Sequence, residues 1–286
     1  PNLGFGFGSV GTITNEPYEG NPAPMLGRLP RSRSLLVNKG LKNYGIDELI
    51  GRLSGRTFAY PAGLSLGKTN RHEAMAQEEA VADVVAAFHK AVAARLAFSF
   101  YELNISCPNL FGSVSFYSPE NLRMLLTAIG TLASDNPVFV KMPICEPDQE
   151  FSAMLDVLAG FPFITGVIIG NLQRDRAHPS FVKEEVTCAT KGNFSGKPCF
   201  VRSNELIRLA YRSHKDRFAI VGCGGVFSAE DAYEKIRSGA SLVQMITGMI
   251  FEGPQVVGEI NRGLTQLLKR DGYASVSEAV GAAHHS

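Results

Sequence analysis

The chain is predicted to be an α/β protein, a parallel (β/α)8 TIM barrel one strand short of eight. Three observations predict this. Seven short apolar, β-rich runs begin near residues 9, 58, 99, 138, 166, 218 and 241, most of them separated by helical stretches. The 286 residues, 45% hydrophobic, suffice to bury one barrel core, so residues 1–286 are taken as a single domain. Two glycine-bearing turns, at Gly222 to Val226 and Ile246 to Gly248, follow the last two runs, where such barrels commonly bind phosphate.

Taken in order, Ser9 to Thr14 is a strand after a Gly-rich entry, and Asn15 to Pro30 is a Pro-rich loop. Phe58 to Gly67 is the second strand. His72 to Ala97 is an Ala-rich helix with Val81, Val84, Val85, Phe88 and Val92 on one stripe, which leaves His89 as a solvent-side residue. Phe98 to Cys107 is a buried strand, stopped by Pro108, which has no N–H for a ladder. Leu110 to Tyr117 is irregular. Ser118-Pro119-Glu120 starts a helix with a cap, a first-turn proline and an acid at the positive end. Val138 to Met142, Gly166 to Asn171, Phe218 to Val221 and Ala240 to Met245 are the remaining strands. Gln173 to Pro198 is a long polar loop, Ser203 caps the helix after it, and Ser228 with Asp231 starts the next. The tail histidines, His284 and His285, read as solvated.

Charge is nearly balanced, with 28 basic and 27 acidic residues, so nucleic acid is not an expected partner. Apolar runs such as Phe161 to Gly170 are too short to span a bilayer, and no signal peptide is visible. The five cysteines, 107, 145, 188, 199 and 223, lack the paired spacing of a disulfide framework or a zinc site, which points to a reducing, cytoplasmic setting. An opening on Pro1 rather than Met is expected of a fragment or a processed chain.

The densest chemistry lies at Glu102-Leu103-Asn104-Ile105-Ser106-Cys107-Pro108-Asn109. Asn104 and Asn109 offer donors and acceptors to a planar polar ring, and Cys107 offers a thiol that can move a proton. The plainer reading is turn chemistry beside a small buried thiol. Lys141 ends an apolar strand, where it either meets an anion or a ring carbonyl or snorkels to solvent.

Asn104 to Asn109 resembles the active-site strand and lid start of the dihydroorotate dehydrogenase family, flavin enzymes on a (β/α)8 barrel. The likeness runs along essentially the whole chain. It implies FMN as cofactor and dihydroorotate oxidised to orotate in pyrimidine biosynthesis. In this likeness Cys107 is the base, Lys141 sits beside the flavin ring, and Asn104, Asn109 and Asn171 hold the pyrimidine. Gly11, Thr12, Ser65, Asn104, Lys141, Ser195, Gly196, Gly224, Gly225, Ile246 and Thr247 become the flavin contacts. The family's first strand, with a further substrate lysine, would precede Pro1.

The chain departs from the family at four points. Val37 stands where the family has a substrate Asn, with Asn38 one position late. Ser65 replaces an Asn, Leu172 a hydroxyl residue, and Ile246 a Tyr. The glycine-rich start, the Pro-rich loop and the lid length resemble the quinone-dependent, membrane-associated class. Cys107 resembles the soluble classes, which use fumarate or NAD and a Cys base. The quinone class is the expectation, with peripheral membrane contact through segments outside this chain. The alternatives are a soluble-class enzyme, a related flavin oxidoreductase with an altered substrate, and a non-catalytic barrel.

Overall fold

The structure, a computed structural model, describes residues 2–112, 114–132, 134–187 and 190–284. Cys188 and His285 lie outside the described residues. Strands β1 (Gly8–Ile13), β2 (Leu26–Leu29) and β3 (Ser34–Val37) precede helix α1 (Ile46–Leu53). Then come β4 (Ala62–Gly67), α2 (Gln77–Ala93), β5 (Phe100–Asn104), α3 (Pro119–Gly130), β6 (Val138–Met142), α4 (Asp148–Ala159) and β7 (Ile164–Ile169). The rest are α5 (Lys183–Thr187), β8 (Asn193–Gly196), α6 (Phe200–His214), β9 (Ala219–Cys223), α7 (Ala229–Ser238), β10 (Leu242–Gln244), α8 (Thr247–Glu252), α9 (Val256–Asp271) and α10 (Val276–Ala279).

Seven strands form one parallel sheet in the order β1-β4-β5-β6-β7-β9-β10. All seven expected strands are present, and the curl stays open between β1 and β10, which do not pair among the described residues. The second strand begins at Ala62 rather than Phe58. A second, antiparallel sheet, β2-β3-β8, was not foreseen: β2 and β8 lie in segments read as loops.

Side chains alternate across the parallel strands. Leu64, Leu66, Leu103, Val140 and Val167 are fully buried and join the apolar faces of α2, α3 and α4 (Val84, Phe88, Leu122, Leu125, Phe151, Leu155) in one core. Residues of opposite parity face the interior of the curl. Register sets Gly63 beside Phe100, Ser65 beside Glu102 beside Phe139, and Gly67 beside Asn104 beside Lys141. The Phe100 and Phe139 rings meet edge to face at 5.7 Å and floor the interior, so that the polar layers of Glu102 and Asn104 stand above them.

That floor needs Gly63. A Cβ there would lie 2.0 Å from the Phe100 ring. Gly63→Ala is expected to cost about 1–3 kcal/mol by overpacking, read as a lowered denaturant midpoint. An unchanged midpoint would contradict this packing.

Helix starts follow their caps. The Ser118 hydroxyl accepts from the Asn121 N–H, with Pro119 in the first turn. Ser228 accepts from the Asp231 N–H in the same way. Ser203 is not a cap: a tight turn over Lys197–Cys199 leads into α6 at Phe200, so Ser203 lies inside the helix. Its hydroxyl bonds the carbonyls of Ile169 and Cys223. His284 is not free in solvent but stacks on Tyr211 and contacts the Ser238 carbonyl. Among the described residues no helix is long and apolar enough to cross a membrane.

Candidate active site

The site is built where β1, β4, β5, β6 and β7 end. Asn104 leaves β5 with its amide fixed at both ends. Its Oδ1 accepts from the Ser106 N–H and hydroxyl at 3.1 and 2.8 Å, and its Nδ2 donates to Thr12 Oγ1 at 2.7 Å. Thr12 and Ser65 hydroxyls meet at 2.8 Å, and Ser65 donates to Glu102 Oε1 at 2.9 Å. Ser9 donates to the other Glu102 oxygen. Asn171, at the end of β7, donates to the Ser106 carbonyl and hydroxyl. Thus Thr12, Ser65, Asn104 and Asn171 are brought into one network.

Asn109 anchors the start of the lid. Its Nδ2 donates to the Val37 carbonyl, its Oδ1 accepts from Asn193 Nδ2, and its own carbonyl accepts from Asn21 Nδ2. Val37 therefore contributes a backbone oxygen where a side-chain amide was expected. Asn38 is not in this ring. Its amide is committed to Asn21 and to the carbonyls of Pro22 and Pro24, because β3 pairing turns it into the loop beneath. At the lid, the Phe111 N–H donates to Asn70, and the Phe111 ring lies 4.1 Å from the His72 ring.

A second cluster forms where the chain leaves β8, β9 and β10. The Ser195 and Thr247 hydroxyls meet at 2.8 Å. Gly225, at φ +75°, passes so close to α6 that a Cβ would lie 2.5 Å from Phe200 Cβ. A Cβ on Gly248 would lie 2.1 Å from the Val226 carbonyl oxygen. Three loops thus converge on bare backbone, an arrangement suited to a phosphate. Gly196 and Gly224 also have positive φ here, whereas the Ile246 side chain is exposed. Gly11, at the interior edge of β1, lies against the Ser65 backbone.

The electrostatics centre on Lys141 and Cys107. Lys141 Nζ lies 4.0 Å from Glu102 Oε1. Burial opposes its charge, but Glu102, with the Cys223 and Cys107 thiols, outweighs burial and raises its pKa. Burial pushes the Cys107 thiol up to about 11, against the lowering effects of a backbone hydrogen bond and of Lys141 and Lys68. Desolvation prevails over the nearby positive charges, so the thiol is less acidic than a free cysteine. Lys68 is 4% exposed, and burial lowers its pKa against the pull of Asp83.

Sequence reasoning missed Glu102 as a site residue, along with Asn21, Asn70 and Asn193. Glu102 offered one signal, a carboxylate inside an apolar strand, two residues before Asn104 and so on the same face.

The family model described as dihydroorotate dehydrogenase matches residues 1–268. A protein of Nocardia farcinica named dihydroorotate dehydrogenase (quinone) is 38% identical over 288 residues, covering 99% of this chain and 76% of the relative. One of the same name from Natronomonas pharaonis is 36% identical, covering 98% and 76%. Among solved structures, ligand-free DHODH from Eimeria tenella superposes with a TM-score of 0.87 at 25% identity, covering 99% of this chain and 83% of that one.

Proposed function

The chain belongs to the dihydroorotate dehydrogenase family, and we propose that it oxidises dihydroorotate to orotate on bound FMN and passes the electrons to a quinone. The observation that carries this reading is that Lys141 meets Glu102 and the field of Cys107 at the strand ends that also hold the Asn104–Asn171 network.

The residues fit FMN. Gly225 and Gly248 let the three loops approach one another as bare backbone, and the Ser195–Thr247 hydroxyl pair adds donors for a phosphate. Thr12, Ser65 and Lys141 would hold the ring. When bound, FMN supplies the hydride acceptor. The chain's own residues do the rest. Asn104, Asn109 and Asn171 orient the pyrimidine. Cys107 Sγ, as thiolate, takes the proton lost from the neighbouring carbon. Lys141 holds a positive charge where negative charge develops. Phe111, held by Asn70 and against His72, starts a segment that would keep water from the reacting atoms.

The quinone assignment rests on the names of the relatives at 36–38% identity. Cys107 favours a second reading, a soluble acceptor such as fumarate or NAD. The test is turnover of the purified yellow protein with dihydroorotate, using a soluble quinone, fumarate or NAD+ as acceptor, and with dihydrouracil as competing substrate. Orotate formed with quinone is the expected result. No orotate with any acceptor would overturn the assignment, and oxidation of dihydrouracil alone would mean that Val37 and Leu172 have changed the substrate.

A further inference from the structure

We propose that Glu102 is a positioning residue. From beneath the site it is the terminal acceptor of a hydrogen-bond chain that starts at Asn171, and its carboxylate faces the Lys141 ammonium at 4.0 Å. The proposal deepens the functional reading above and rests on it.

The direction of the chain follows from groups that can play only one role. The Ser106 backbone N–H can only donate, which fixes Asn104 Oδ1 as acceptor and Asn104 Nδ2 as donor to Thr12. The Ser106 carbonyl can only accept, which fixes the Asn171 amide with Nδ2 toward it. At the other end, Glu102 is 3% exposed and, ionised, is acceptor only. Ser65 must therefore donate to Glu102, Thr12 to Ser65, and Asn104 to Thr12. Ser106 in turn donates to Asn104 and receives from Asn171. Every donor points toward the carboxylate.

The consequence reaches the ligand. Both Asn171 N–H groups are spent on Ser106, so Asn171 offers a bound ring only an acceptor, Oδ1. Asn104, with Oδ1 spent and one N–H committed, offers only a donor. A ring presenting an N–H beside a carbonyl meets both. Lys141 is faced by Glu102 from β5 and by the Cys107 and Cys223 thiols, so Glu102 is its sole carboxylate neighbour among these. Without it, burial is left to pull the ammonium toward neutrality.

The test compares the wild-type flavoprotein with Glu102→Gln, Glu102→Asp and Ser65→Ala. Orotate affinity is measured by calorimetry, and FMN release by fluorescence on dilution between pH 6 and 10. Glu102→Gln is expected to weaken orotate about tenfold, the loss of one charge-assisted hydrogen bond. It should also release FMN faster as pH rises and the unpaired Lys141 ammonium loses its proton, a step absent from the wild type. Ser65→Ala cuts the chain but spares the ion pair, so it weakens orotate without adding that step. Glu102→Asp, which keeps the charge, restores the wild-type pH profile. Wild-type behaviour of Glu102→Gln in either measurement overturns the proposal, as does a lowered Tm with both measurements unchanged. If wild-type protein holds FMN but does not bind orotate, the functional reading fails, while the FMN-release arm still decides the role of Glu102.

Discussion

Cys107→Ala leaves FMN bound and slows flavin reduction by dihydroorotate by about 10²- to 10⁴-fold, the usual contribution of a positioned base. The size follows from the geometry. Cys107 follows Ser106, whose carbonyl and hydroxyl are tied to Asn171, and precedes Asn109, which is tied to Val37 and Asn193. The thiol itself takes the backbone hydrogen bond of Asn109 and lies within the field of Lys141 and Lys68. Its pH dependence is equally specific. The proposed base is the thiolate, and burial pushes the thiol up to about 11. In the free protein the thiolate fraction falls about tenfold for each pH unit below that value. The profile of kcat/KM, which reports the free enzyme, should climb by about one logarithmic unit per pH unit between about pH 7 and 10. Lys141, with its pKa raised, stays charged across this range and does not break the slope. Cys107→Ser substitutes a less acidic hydroxyl and moves the limb to higher pH. Undiminished reduction in Cys107→Ala would exclude the thiol as base.

Lys235→Met removes a pH dependence of stability worth roughly 3 kcal/mol. Lys235, on α7, is fully buried against α6. Its ammonium donates to Ser203 Oγ at 3.0 Å and Asn204 Oδ1 at 2.9 Å and sits over the Phe200 ring, with no carboxylate in ion-pair contact among the described residues. Burial lowers its pKa from 10.5 to about 8, against weaker raising effects from Cys223, Cys199, Asp231 and Glu234. Below about pH 8 the group is charged folded and unfolded, and the full cost of burying the charge is present. Between about 8 and 10.5 the unfolded chain binds more protons, so stability rises with pH. Above about 10.5 the gain is complete. Urea midpoints of the wild type should rise across this window, and those of Lys235→Met should lack this rise. At pH 7 the two effects of the substitution oppose each other. Removal of the buried charge stabilises, whereas Asn204 Oδ1, left unpaired, costs about 1–3 kcal/mol. An identical rise in the variant would show that another group titrates.

The parallel strands were legible because each is an apolar run ended by a turn residue. The starts of α3 and α7 were legible because Ser118, Pro119 and Ser228 carry cap chemistry that acts within one turn. The sheet β2-β3-β8 was not. Its strands have four residues each, two contain glycine, and β8 pairs with β3 about 160 residues away in sequence, so no local periodicity marks them. Asn38 follows β3, and its hydrogen bonds to Asn21, Pro22 and Pro24 keep its amide in the loop. Cys107, Lys141 and the three asparagines were visible as polar residues ending apolar strands. Glu102 was hidden because its meaning depends on lateral register: only pairing with Ser65 on one side and Phe139 on the other encloses its carboxylate.

In the proposed function Cys107, Lys141 and the carboxamides serve one redox site for dihydroorotate. Its most direct test is an anaerobic titration of the purified yellow protein with dihydroorotate, following flavin absorbance and orotate together. The account predicts that the flavin band bleaches with one orotate formed per flavin, and that Cys107→Ala, equally yellow, does not bleach on the same timescale. A flavin band unchanged by dihydroorotate in the wild-type protein would contradict it.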